Sequence, residues 1–168
     1  MAELTPKERL QPSLLDRLTD DEPTQKLESR DKKVLSPSRL RESVRRDLAW
    51  LFNTPNLATV MDLDSYPFVK LSVVNYGLPG LVGRNASSVE QSGLERLLRQ
   101  AIISFEPRLL PNSVKVRLSL DPVSMSHSAV SFHIEAELWA QPLPLRLFLK
   151  SEIDLEAGTA LVTEAGLG

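Results

Sequence analysis

Cysteine is missing from all 168 residues of the chain, which excludes disulfides, thiolate nucleophiles and cysteine-built metal sites. Histidine is nearly missing: only His127 and His133 are present, too few for a multi-histidine zinc centre without carboxylate help. Neither sign of charge is in excess. Twenty Lys and Arg stand against 22 Asp and Glu, for a net charge of −2, whereas a dedicated nucleic-acid binder needs a phosphate-neutralising basic surplus. No apolar run approaches the length of a bilayer span. The opening Met1-Ala2-Glu3-Leu4-Thr5-Pro6-Lys7 lacks the basic-then-apolar order of a secretory signal. These absences point to a reduced, cytoplasmic setting with neither nucleic-acid binding nor direct membrane insertion. Any enzyme chemistry would rest on carboxylates, hydroxyls or lysines.

Forty-two per cent of the residues are hydrophobic, enough for one real core at this length. The division reads as a flexible tail, 1–35, followed by a single domain, 36–168. Residues 1–33 carry seven Lys and Arg and eight Asp and Glu, a composition that buries little apolar surface and predicts mobility. One island differs. Leu14, Leu15 and Leu18 share one face of a short helix, which is marginal alone and must dock on its own domain or on a partner.

Ser36-Pro37 supplies an N-cap and a first-turn proline for the next helix. Leu40, Val44, Leu48, Leu51 and Phe52 form its apolar stripe. Arg39, Arg41, Arg45 and Arg46 line the other side, with Glu42 four residues before Arg46. Asn53-Thr54-Pro55 ends it. Residues 68–77 fit either a short helix with Val69, Ser72, Val73 and Tyr76 on one face, closed by Gly77, or a strand; the helix is preferred. The glycines of Gly77-Leu78-Pro79-Gly80-Leu81-Val82-Gly83 lack the Lys-Ser/Thr of a phosphate cradle and read as a tightly packed turn. Ser88-x-x-Gln91 is a capping box opening the main helix. The core stripe of that helix is Leu94, Leu97, Leu98, Ala101, Ile102 and Phe105, with Ile103 on the opposite side.

Beyond it the period changes to two. Val114, Val116, Leu118 and Leu120 alternate with polar residues. So do Val130, Phe132, Ile134, Ala136 and Leu138, and then Leu145, Leu147 and Leu149. Half-buried strands with one solvated face belong to antiparallel sheets, and Glu156-Ala157-Gly158-Thr159 turns into a last strand near Leu161-Val162. The fold class is α+β, with helices covering one face of a small antiparallel meander. Trp139 and Phe148 fall on the polar face. A hairpin symmetric about Leu143 and Pro144 would place them side by side as an exposed aromatic surface for a partner.

Between helix and strands lies Ser104-Phe105-Glu106-Pro107-Arg108-Leu109-Leu110. A proline after Glu106 disfavours helix there, so the chain turns a rigid corner with a carboxylate and a guanidinium on either side of Pro107. Charges fixed at such a corner suit partner binding, arginine above all; a local ion pair that merely ends the helix is the plainer alternative. Catalytic sets are harder to find. Ser126-His127-Ser128 has no orienting acid. Glu135 and Glu137 have cross-strand basic partners in Arg117, Arg146 and Lys150. A lysozyme-like glycosidase needs two carboxylates across a cleft, and Glu106 has no identifiable mate. No catalytic residue, metal ligand or cofactor site is assigned.

Four segments in order, Leu14-Leu15-Asp16-Arg17-Leu18, Ser72-Val73-Val74-Asn75-Tyr76-Gly77-Leu78-Pro79, Phe105-Glu106-Pro107-Arg108-Leu109 and Ser151-Glu152-Ile153-Asp154-Leu155-Glu156-Ala157-Gly158, resemble the TssE subunit of the bacterial type VI secretion baseplate. That family is similar to a wedge protein of contractile phage tails. The turn Glu156-Ala157-Gly158-Thr159 departs from the family's usual Thr/Ser-Gly turn. The resemblance implies a non-enzymatic structural subunit whose partners are other wedge subunits and the contractile sheath and tube, assembled on the cytoplasmic side of an inner-membrane complex. It implies that Glu106, Pro107 and Arg108 contact neighbouring subunits. It also brings a historical lysozyme-like label, which the missing carboxylate pair does not support. On this reading Glu106→Ala or Arg108→Ala leaves the monomer folded and weakens assembly.

Overall fold

The computed structural model describes residues 13–19, 23–24, 36–80, 91–119, 129–139 and 144–165. Within them run α1 (Leu14–Leu18), α2 (Pro37–Phe52), α3 (Pro67–Lys70) and α4 (Gln91–Phe105), then β1 (Lys115–Ser119), β2 (Ala129–Leu138), β3 (Leu145–Asp154) and β4 (Thr159–Glu164). The strands form one antiparallel meander in the order β1-β2-β3-β4, the α+β architecture that the two periodicities predict.

Helix α2 starts where the Ser36 hydroxyl accepts the Arg39 N–H at 3.2 Å with Pro37 in the first turn, and Asn53 caps its end. Its stripe of Leu40, Val44, Leu48, Leu51 and Phe52 is buried, as are Leu94, Leu98, Ala101 and Ile102 of α4. Both helices press on the inward row of the sheet, where Val116, Phe132, Ile134, Ala136, Leu138, Leu147, Leu149, Ile153 and Val162 complete one core. Each fully buried leucine or phenylalanine there contributes about 1.5–3 kcal/mol. Ile103 does not stand away from this core; it is half-buried against it. The capping-box residue Ser88, together with Leu120, His127 and Gly83, lies outside the described residues.

The segment 68–77 is not one helix. Pro67 starts α3, but Ser72 is extended (φ −97°, ψ 168°) and its hydroxyl caps a separate 3-10 turn, Val73–Asn75. Val73, expected on an inward face, is 80% exposed. The segment is held from beneath. Buried Asn75 accepts the Ala58 N–H at 2.9 Å and donates to the Lys70 carbonyl at 3.0 Å. Gly77 takes φ +120°, and a β-carbon there would overlap the Thr54 carbonyl, so only glycine fits this turn.

The outer strands would leave a row of free backbone groups. Helix side chains fill several of these positions. Beside β1, Glu95 accepts the Leu118 N–H at 2.7 Å and Arg99 donates to the Val114 carbonyl at 2.9 Å. Beside β4, Asn53 both accepts from the Ala160 N–H (2.9 Å) and donates to its carbonyl (2.7 Å), while Arg45 reaches the Val162 carbonyl at 3.2 Å. In the core, the fully buried Ser151 hydroxyl has no hydrogen-bond partner among the described residues.

Candidate functional site

Helix α4 ends at Phe105, and Glu106 closes its last turn by donating its N–H to the Ile102 carbonyl at 2.8 Å. The proline that follows forces the chain out of helical geometry, and a turn brings the Leu109 N–H back to the Glu106 carbonyl at 3.2 Å. Glu106 is 3% exposed. A buried carboxylate is tolerable only when paired, and Arg108 pairs it twice: Nε to Oε1 at 2.7 Å and Nη2 to Oε2 at 2.5 Å. The Arg108 backbone N–H adds a third bond to Oε1 at 3.1 Å. This is the fork-on-fork geometry that only arginine can make.

The pair does not stand alone. Arg108 also donates through Nη2 to Asp47 Oδ2 at 2.5 Å and through Nη1 to the Ser43 hydroxyl at 3.1 Å, both on α2. Asp47 in turn accepts from Arg46 Nε at 2.9 Å, and Arg46 Nη1 donates to Asp16 of α1 at 2.7 Å. Five alternating charges, Glu106, Arg108, Asp47, Arg46 and Asp16, thus run from the corner to the N-terminal helix. Burial pulls the Arg108 pKa down, but hydrogen bonds and charge from Glu106 and then Asp47 outweigh it and raise the value. At the far end, burial pushes Asp16 up, while hydrogen bonds from Ser13 and Arg46 more than offset that and hold it below the ordinary aspartate value. Tyr76 leans on the same group, its hydroxyl 3.4 Å from the Asp47 carbonyl and its ring edge-on to Phe105 at 5.2 Å. Burial, then Asp47 and Glu106, raise its pKa.

Arg46 is ion-paired with Asp47 and Asp16, and its guanidinium lies 4.9 Å over the Trp50 ring; its buried Nη2 makes no hydrogen bond among the described residues. The ion pair with Asp16 seats α1 on α2. Its leucines face outwards, with Leu14 71%, Leu15 45% and Leu18 73% exposed.

Of the residues singled out by sequence, Glu106, Pro107 and Arg108 form one corner, and Trp139 joins it. The Trp139 N–H donates to the Arg108 carbonyl at 2.7 Å, and the indole is 54% exposed. Phe148 is elsewhere. Leu138 opposes Leu145, a register that is not symmetric about Leu143 and Pro144. This register sets half-buried Phe148 opposite Glu135, well inside the sheet, and the expected Trp139–Phe148 pairing does not form. On that outer face Lys115 lies 3.6 Å from Glu135, and Arg146 opposes Glu137. They line an open cleft of about 430 Å³ under the Leu110–Ser113 turn.

Sequence reasoning passed over Ser43 and Asp47, and placed Tyr76 on a helix face without linking it to the corner. The available signal was Ser43 and Asp47 four residues apart on α2, bordering the apolar stripe, a spacing that puts both on one helix face.

With four of the five guanidinium N–H donors of Arg108 engaged internally, the corner offers a partner one Nη1 donor, the exposed ring of Pro107 and the indole of Trp139. Among the described residues no cluster of His, Asp and Glu suits a metal ion, and no helix is long and apolar enough to cross a membrane.

No curated protein matches the chain. The sequence profile of the family described as baseplate wedge protein gp25 matches residues 38–143, well over half of the chain and including the corner, α2, α4 and Trp139. TssE is the type VI homologue of gp25, so the resemblance carried by the four motifs falls inside the same family. The chain belongs to the gp25 family of baseplate wedge proteins, structural components of phage-tail-like baseplates that assemble with other baseplate subunits.

Proposed function

We propose that this chain is a non-enzymatic subunit of a type VI secretion baseplate wedge, joining the baseplate to the contractile sheath and tube on the cytoplasmic side of an inner-membrane complex. The observation that carries this reading is the family match over residues 38–143, with the four ordered TssE-like motifs supplying the type VI assignment. Partner contact is assigned to the corner and its neighbour: Pro107, Arg108 and Trp139 touch the partner, and buried Glu106 positions Arg108. Phe148 belongs to the same proposal as a separate contact on the outer sheet face.

A glycosidase reading finds little support in the geometry. Both Glu106 oxygens are occupied by Arg108. Glu135 and Glu137 line the cleft from one strand, side by side, where glycoside hydrolysis needs two carboxylates facing each other across the bond. The test is purification of tagged full-length chain from its own cells. Wild type should bring down other baseplate subunits, and Trp139→Ala, whose side chain is half exposed, should fold normally and bring down fewer. Absence of baseplate subunits with wild type, or clearing of peptidoglycan by the purified chain that Glu106→Gln abolishes, would overturn the reading.

A further inference from the structure

The apolar side chains that the corner does not use are concentrated between residues 60 and 74. Val60 is 84% exposed, Phe68 89%, Leu71 82% and Val73 80%; Met61, Tyr66 and Val74 are about half exposed or more. Isolated exposed hydrophobics are ordinary, but seven within fifteen consecutive residues point to an interaction site. The total is of the order of the ~800 Å² that one side of a standard protein interface buries. The scaffold beneath is preformed. Leu63 anchors the segment in the interior, Asn75 ties Ala58 to Lys70, and Gly77 clamps its end against Thr54. A surface ordered before binding loses little entropy on docking.

We infer that residues 60–74 form a second docking surface, distinct from the corner, for the apolar face of a neighbouring baseplate subunit bordered by a basic residue. The inference rests on the assembly reading above. The basic border follows from the charges present. Lys70 is spent on Asp64 at 3.0 Å, and the Asp62 carboxylate accepts only the Asp64 backbone N–H among the described residues, so the surface presents one unneutralised negative charge beside Met61 and Leu63. The same negative charge opposes an anionic lipid surface. The whole segment lies inside the matched family region, where the partners are other baseplate subunits.

The test uses full-length chain in its own cells with a photo-crosslinking benzophenone side chain at position 68 or 71, alongside the double variant Phe68→Ser/Leu71→Ser. Both side chains are over 80% exposed, so the variant should keep its melting temperature. A crosslink to another baseplate subunit, and about a tenfold or greater loss of that subunit from the double variant's complexes, is the expected result. Crosslinks only between copies of this chain would overturn the inference. So would vesicles of zwitterionic and anionic lipid that bind wild type but not the variant. Unchanged recovery of baseplate subunits with the folded variant would sink the second surface and leave the assembly reading standing. Failure of wild type itself to recover them would sink both.

Discussion

The corner and the 60–74 segment are opposites built on the same domain. At the corner, charged side chains are buried or half-buried and each has an oppositely charged partner; in the segment, most apolar side chains are exposed and uncovered by the described residues. A charge can be taken from water only if the protein replaces water's contacts, so the corner has to be paired internally before it can serve a neighbour. An exposed phenylalanine has no such obligation. It costs the monomer little and becomes useful only when something covers it. Sites of the first kind resist substitution because the fold depends on them, and sites of the second kind because assembly does.

That contrast can be broken most forcefully at Arg108. Removing it strands buried Glu106 and leaves Asp47 to Arg46 alone, so Arg108→Ala should lower monomer stability by about 3 kcal/mol or more, read as a loss in urea-unfolding free energy. Arg108→Lys should recover only part of this, since an ammonium cannot span both Glu106 oxygens. A monomer that unfolds as wild type would mean that the corner is held by other forces. The internal network thereby changes what the sequence alone suggests for this variant, intact folding with weakened assembly; Trp139→Ala is the cleaner probe of partner contact.

Beneath the apolar segment, Gly77→Ala should cost about 3 kcal/mol or more, because the overlap of its β-carbon with the Thr54 carbonyl adds to the strain of the positive φ. Asn75→Ala should cost less, about 2 kcal/mol, through the unpaired Ala58 N–H and Lys70 carbonyl. Phe68→Ser on the surface above should shift stability by less than about 0.5 kcal/mol. Equal effects for Asn75 and Phe68 would erase the distinction between scaffold and displayed surface.

A gentler perturbation is acid. Asp16 has a folded pKa below its ordinary value, so its contribution to seating α1 is fully present above the unfolded aspartate pKa and fades as pH falls through the lower folded one. Protection factors at the Asp16 and Thr19 amides, with the intrinsic pH dependence of exchange divided out, should therefore fall under acid, and Asp16→Asn should show the low protection already at neutral pH. The smallest effect is expected at Ser151. Ser151→Ala removes a buried hydroxyl without a partner among the described residues and should leave the melting temperature unchanged or raise it slightly.

Much of this arrangement was legible in the sequence. The stripes of α2 and α4 and the two-residue alternation of β1 to β3 follow from burial, and burial leaves a periodic trace. The stop at Glu106 is local steric chemistry, which sequence also carries. What stayed hidden depends on long-range geometry. The partners of Arg108 come from residues 61 and 65 positions away, and nothing in a period announces such a contact. The hairpin register depended on a turn whose centre proline spacing suggested wrongly, and with it went the pairing of Trp139 with Phe148. Residues 68–77 misled for another reason. Of the face read there, Val69, Ser72 and Tyr76 are half-buried but Val73 is exposed, because the chain is extended at Ser72 and a 3-10 turn, not a continuous helix, follows.

The bonds from Asn53 to Ala160 join residues 107 positions apart. On a ribosome adding about 5–20 residues per second, roughly 5–20 s separate the two. For that interval α2 has neither its terminal clasp nor the strand it lies against, and its leucine stripe must wait in the open. The vulnerable period of this small domain is set by the order of synthesis, with its first long helix completed by one of its last strands.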